Sequence, residues 1–126
     1  MSGRVVHFEV PYDDAERAHG FYREVFGWQI QPISELQYDI ASTGPADDQG
    51  RPSESGYTGG GMSRRSDVLS RPVITIEVED IDATLEKVRA NGGATVGKKL
   101  TVADMGFAAY FTDSEGNLTG IWQNAT

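Results

Sequence analysis

His7 and Glu9 alternate with Val6, Phe8 and Val10. The arrangement returns at residues 74–78, where Thr75 and Glu77 alternate with Ile74, Ile76 and Val78. Alternation with a period of two makes each stretch a strand with one apolar and one polar face. An imidazole beside a carboxylate is equipment for proton transfer. Carboxylates that face one another raise the pKa of at least one of them. His7, Glu9 and Glu77 are therefore the candidate acid–base groups, and Thr75 shares their polar strand faces. The competing structural use is a hydrogen-bonded pair across a module or subunit interface.

Stepping outward, each strand is followed by an acidic helix start and an amphipathic helix. Residues 4–10 form the first strand, ended by Pro11-Tyr12-Asp13. A helix follows from about Asp14 to Phe26, with Asp13 and Glu16 as a capping-box-like start and Gly27 as its terminator. Ala18, Phe21, Tyr22, Val25 and Phe26 lie on its apolar face. His19, beside Ala18, reads as a surface or boundary residue. Strands are expected at 28–33, 36–42 and 57–63, with a polar Gly- and Pro-rich loop at 43–56. Gly59-Gly60-Gly61 precedes no helix, so it reads as a kinked strand open to close approach and not as a phosphate cradle.

The second half repeats the order. A strand at 72–78 leads into a helix at 82–91, with Ile81, Leu85 and Val88 on its buried side. Strands follow at 94–102, 107–112 and 118–123. Residues 113–117 are acidic but lack the calcium-loop pattern, and read as a hairpin turn. Phe107, Ala109 and Phe111 share one face of their strand, and Ala108 and Tyr110 the other. The fold expected is α+β: one domain over 1–126, made of two βαβββ modules at about 1–66 and 67–126.

Composition narrows the function. The net charge of −8 argues against a nucleic-acid backbone as partner. Without cysteine there is no disulfide framework, thiol chemistry or thiolate metal site. No apolar run approaches the roughly 18 residues of a membrane span, and no signal-peptide stretch precedes the first strand. A cytoplasmic protein with no membrane partner is expected.

Four stretches together resemble the vicinal-oxygen-chelate superfamily, which includes glyoxalase I, bleomycin-resistance proteins and extradiol dioxygenases. They are the opening strand with His7, Phe21-Tyr22-Arg23-Glu24-Val25-Phe26-Gly27-Trp28, Leu85-Glu86-Lys87-Val88-Arg89-Ala90-Asn91-Gly92-Gly93, and Phe111-Thr112-Asp113-Ser114-Glu115-Gly116-Asn117. More narrowly, the chain resembles actinobacterial glyoxalase-like proteins. The resemblance implies tandem βαβββ modules whose curved sheets form a half-open barrel around a small-molecule cleft.

The metal enzymes of that superfamily hold a divalent ion through four positions, two per module. Of these only His7 survives here. The second-module counterpart falls at Val73, or at Thr75 by the internal repeat. The last-strand position of module two falls at Gly120, and residues 57–62 offer no carboxylate or imidazole. Because Gly120 stands at a ligand position, Trp122 should share its cleft side. Tyr110 joins it, and Tyr38 is the analogue in module one. Aromatic lining favours a planar or hydrophobic ligand.

The expected ligand contacts are therefore His7, Glu9, Tyr38, Thr75, Glu77, Tyr110 and Trp122, with no metal and no cofactor. The favoured function is a glyoxalase/bleomycin-resistance-like protein that binds a small organic molecule in the inter-module cleft, as a homodimer. The alternative is a glyoxalase-like lyase or related enzyme using His7 with Glu9 or Glu77, with or without a non-standard divalent metal. A third use is an interaction protein whose cleft is closed by its own side chains.

Overall fold

The computed structural model describes residues 3–34, 37–48 and 50–126. The opening stretch forms β1 (Val5–Tyr12), followed by α1 (Ala15–Phe26), β2 (Gln29–Ile33), β3 (Tyr38–Ser42) and β4 (Gly59–Arg64). The second series is β5 (Val73–Glu77), α2 (Ile81–Ala90), β6 (Ala94–Val102), β7 (Gly106–Thr112) and β8 (Leu118–Asn124). The fold is α+β, with the βαβββ order present twice. The chain divides into two compact units, one of His7–Pro72 and one of Val73–Thr126 with the residues up to Val6. No helix among the described residues is long and apolar enough to cross a membrane.

In the first unit the strands lie in the order β2-β3-β4-β1. β1 and β4 run parallel, in continuous register from His7 opposite Gly59 to Tyr12 opposite Arg64. The glycine strand is therefore paired without the expected kink. Its glycines serve close approach: a Cβ at Gly60 would collide with the Phe8 ring, and one at Gly61 with the Tyr38 ring and hydroxyl. The core holds Ile30, Ala41 and Met62, with Phe8, Val10, Tyr12, Ala18, Tyr22 and Trp28 packed against it. Tyr22 stacks on Trp28 at 4.4 Å between centroids.

Several boundaries differ from expectation. β1 continues through Pro11 and Tyr12, because a proline is tolerated where the ladder does not use its missing N–H. Asp14, not Asp13, caps α1 by accepting from the Arg17 N–H at 3.0 Å. Asp13 instead pairs with Arg65 at 3.0 Å. Gly27 ends the helix in the left-handed region at φ 72°, and its N–H returns to the Arg23 carbonyl. The sheet-facing stripe of α1 is the buried His19 with the half-buried Ala18 and Tyr22. Phe21, Val25 and Phe26, expected inside, are 55%, 55% and 61% exposed. The expected start of β3 at Leu36 lies outside the described residues.

In the second unit the order is β5-β8-β7-β6. β5 and β8 are parallel, and β7 pairs antiparallel with both β8 and β6. The register of β6 against β7 shifts between Val96 and Leu100, where Gly97 has φ 73°. Glu77 donates its N–H to the Arg4 carbonyl and accepts at its own carbonyl from the Gly3 N–H. Ile81, Ala109 and Ile121 form the core with Ile76, Val78, Leu85, Phe107 and Phe111. The expected turn at 113–117 is built on Asp113 Oδ1, which accepts from the N–H groups of Glu115 and Asn117 at 2.8 and 2.9 Å. Those bonds hold its carboxyl below the usual range.

Candidate functional site

In the first unit, strand parity turns Phe8 and Val10 into the core and leaves His7 and Glu9 on the opposite face. Tyr38 begins β3 and lies across Gly61, where no side chain obstructs it. Its hydroxyl is hydrogen-bonded to His7 Nε2 at 2.7 Å, with the two rings nearly parallel at 19°. Glu9, two residues along, is buried. Burial pushes the His7 imidazole below its ordinary value, while the Glu9 carboxylate pulls it partly back up. With Nε2 engaged by Tyr38, the imidazole has Nδ1 left for one further hydrogen bond.

The second unit carries a separate polar face. Parallel register sets Thr75 beside Gly120 and Glu77 beside Trp122, and antiparallel register sets Tyr110 opposite Gly120. Thr75 is buried, and its hydroxyl fills the space that a Cβ on Gly120 would need. Glu77 accepts from Asn124 Nδ2 at 3.0 Å, while Asn124 Oδ1 accepts from Trp122 Nε1 at 2.8 Å. Asn124 thus ties the carboxylate to the indole. The sequence singled out Glu77 and Trp122 but missed Asn124. Its position two residues beyond Trp122 on the same strand face is the signal that was available.

His19 is the main correction. It is not a surface residue but is 8% exposed, and its Nε2 donates to Asp39 Oδ2 at 2.6 Å. Asp39 is 6% exposed and lies on the helix side of β3, opposite Met62. Tyr12 meets the His19 ring edge to face at 5.8 Å. Burial, then the charge and hydrogen-bonding capacity of Asp39, push the Tyr12 phenol up; Arg64 opposes them.

The described donors do not suit a divalent metal. No three His, Cys, Asp or Glu side chains among the described residues converge. The surviving superfamily ligand position, His7, has its Nε2 committed to Tyr38. Gly59 stands beside His7 in the first unit, and in the second unit Thr75 stands beside Gly120. Nitrogen and carboxylate donors have to surround such an ion.

Comparison with known proteins follows this geometry. Residues 4–44 match the model of the bleomycin resistance protein-like N-terminal family. A glyoxylase-like domain-containing protein of Didymella fabae is 31% identical over 130 residues, covering 96% of this chain and 94% of that protein. Among solved structures, a methylmalonyl-CoA epimerase in complex with methylmalonyl-CoA and NH4+ superposes with a TM-score of 0.66 at 19% identity. It covers 100% of this chain and 97% of its own. A glyoxalase/bleomycin resistance protein/dioxygenase superfamily member from Vibrio splendidus 12B01 gives a TM-score of 0.59 at 16% identity, covering 97% and 98%.

Proposed function

The chain belongs to the glyoxalase/bleomycin-resistance/dioxygenase superfamily, and on that premise we propose that it binds a small organic molecule on its polar sheet faces without a catalytic metal. His7, Glu9 and Tyr38 are the contacts on the first unit. Thr75, Glu77, Tyr110 and Trp122 are those on the second. The observation that carries this reading is the 2.7 Å bond between His7 and Tyr38, beside a buried carboxylate and over a strand cleared by Gly61. Preorganised polar groups of this kind orient a ligand.

The neutral His7 next to Glu9 favours a second use. A glyoxalase-like lyase or related enzyme would employ the imidazole as a proton acceptor, with no step through a metal.

The test is a thermal-shift and calorimetric screen of small metabolites, acyl-CoA thioesters and glycopeptide drugs. A true ligand at a hundred times its Kd stabilises by about 2.7 kcal/mol. His7→Ala and Tyr38→Phe should each weaken it about tenfold, the worth of one well-formed hydrogen bond. His7→Ala also changes the pH response. The folded state holds His7 neutral below the unfolded value of about 6.5, so its contribution is intact above that pH and lost as pH falls through the lowered folded value. The variant should flatten that acid-side loss. Absence of any stabilising compound would favour a cleft filled by its own side chains. A stoichiometric divalent ion that disappears in His7→Ala would overturn the metal-free reading.

We also take the protein to be a cytoplasmic homodimer, for which exposed Phe21, Val25 and Phe26 supply apolar surface. Light scattering at micromolar concentration should return twice the chain mass; the monomer mass would remove this part.

A further inference from the structure

A cleft of about 450 Å³ opens in the first unit where β1, β2 and β4 end and β3 begins. That volume is within the range of roughly 300–1,000 Å³ typical of small-molecule pockets. Pro32 and Ile33 give it an apolar wall. Tyr12, Asp39, Ser63 and Arg64 give it polar groups. Parallel register sets Tyr12 beside Arg64 and Pro11 beside Ser63.

The charges around this cleft are unevenly matched. Asp39 is turned toward His19, which donates to it at 2.6 Å. Asp13 is paired with Arg65 through its carboxylate. Arg64 donates only to the Asp13 backbone carbonyl, at 3.1 Å, and among the described residues no carboxylate pairs with it. Its guanidinium carries five N–H donors in a planar fork that suits a carboxylate or a phosphate. The chain as a whole carries a net charge of −8 and repels anions, so weak general binding does not compete.

We propose that this cleft is a binding site for a small organic anion, with Arg64 engaging its carboxylate or phosphate and Pro32 and Ile33 covering its apolar body. Asp39, held by His19, lines the cleft together with Tyr12. Tyr38 lines this cleft as well as bonding His7, but the proposal rests on Arg64 and not on the His7 reading.

Two-dimensional NMR titrations with benzoate and with inorganic phosphate test it. Either probe should give saturable shifts at the amides of Asp39, Ser63 and Arg64. Arg64→Gln should weaken binding about tenfold, the order of one charge-assisted hydrogen bond. Arg64→Lys, which keeps the charge, should retain part of it. Arg71→Gln, at an exposed arginine outside the cleft lining, should leave it unchanged. A preference for benzoate identifies a carboxylate ligand, and a preference for phosphate a phosphorylated one. Equal affinity in wild type and Arg64→Gln, or no saturation by either probe, would overturn the proposal whatever becomes of ligand binding at His7.

Discussion

Asp39→Ala should lower stability by about 3 kcal/mol, the cost of removing one partner from a buried hydrogen-bonded pair. In a chain of this size that loss moves the unfolding midpoint by about 10 °C. Asp39 sits on the core side of β3 and accepts from His19, which α1 presents to the same side. Removing the carboxylate leaves a buried imidazole without its acceptor. The energetic penalty therefore belongs to the groups left behind more than to the bond lost. It follows that His19→Leu combined with Asp39→Leu should be milder than Asp39→Ala alone, because paired removal leaves neither partner of the bond buried without the other. Chemical denaturation of the three proteins measures this. An Asp39→Ala variant within about 1 kcal/mol of wild type, the net worth of an ordinary hydrogen bond, would show that the network does not hold α1 to the sheet.

The same network marks where sequence reasoning stopped. The repeated βαβββ order is legible because two-residue alternation, helix periodicity and Gly punctuation all report local geometry. Thus β6 (Ala94–Val102) has the ends its pattern implies, and Gly27 closes α1 as its place requires. Parity on β8 likewise sets Gly120 and Trp122 on one face, with Tyr110 opposite Gly120. The apolar stripe of α1 was misjudged because hydrophobicity does not say which side of a helix a sheet will cover. Phe21 and Val25 outrank His19 on any transfer scale, yet Asp39 across the interface makes His19 the buried one. A contact between residues 20 positions apart in the chain has no periodic signature. Arg64 was missed for a related reason: a two-residue basic run carries no weight until the strand ends that surround it are known.

Gly61→Ala tests whether the glycine strand exists to admit Tyr38. A methyl group there would collide with the Tyr38 ring and hydroxyl, so the ring must leave its place over β4. The bond to His7 Nε2 goes with it. The expected cost is about 1–3 kcal/mol for overpacking a fitted contact. Ligand affinity at the His7 face should fall at least as far as in Tyr38→Phe, because the whole ring moves and not only its hydroxyl. The decisive measurement is a double-mutant cycle. In a Tyr38→Ala background the three atoms nearest the new methyl are gone, and Gly61→Ala should then be close to neutral, within the roughly 0.5 kcal/mol expected of independent sites. Gly60→Ala is the contrasting case. Its obstacle is Phe8, which packs in the core, so its cost should persist when Tyr38 is removed. If Gly61→Ala costs the same with and without Tyr38, the glycine is there for backbone reasons. The His7–Tyr38 pair would then be a consequence of the strand, not the reason for its composition.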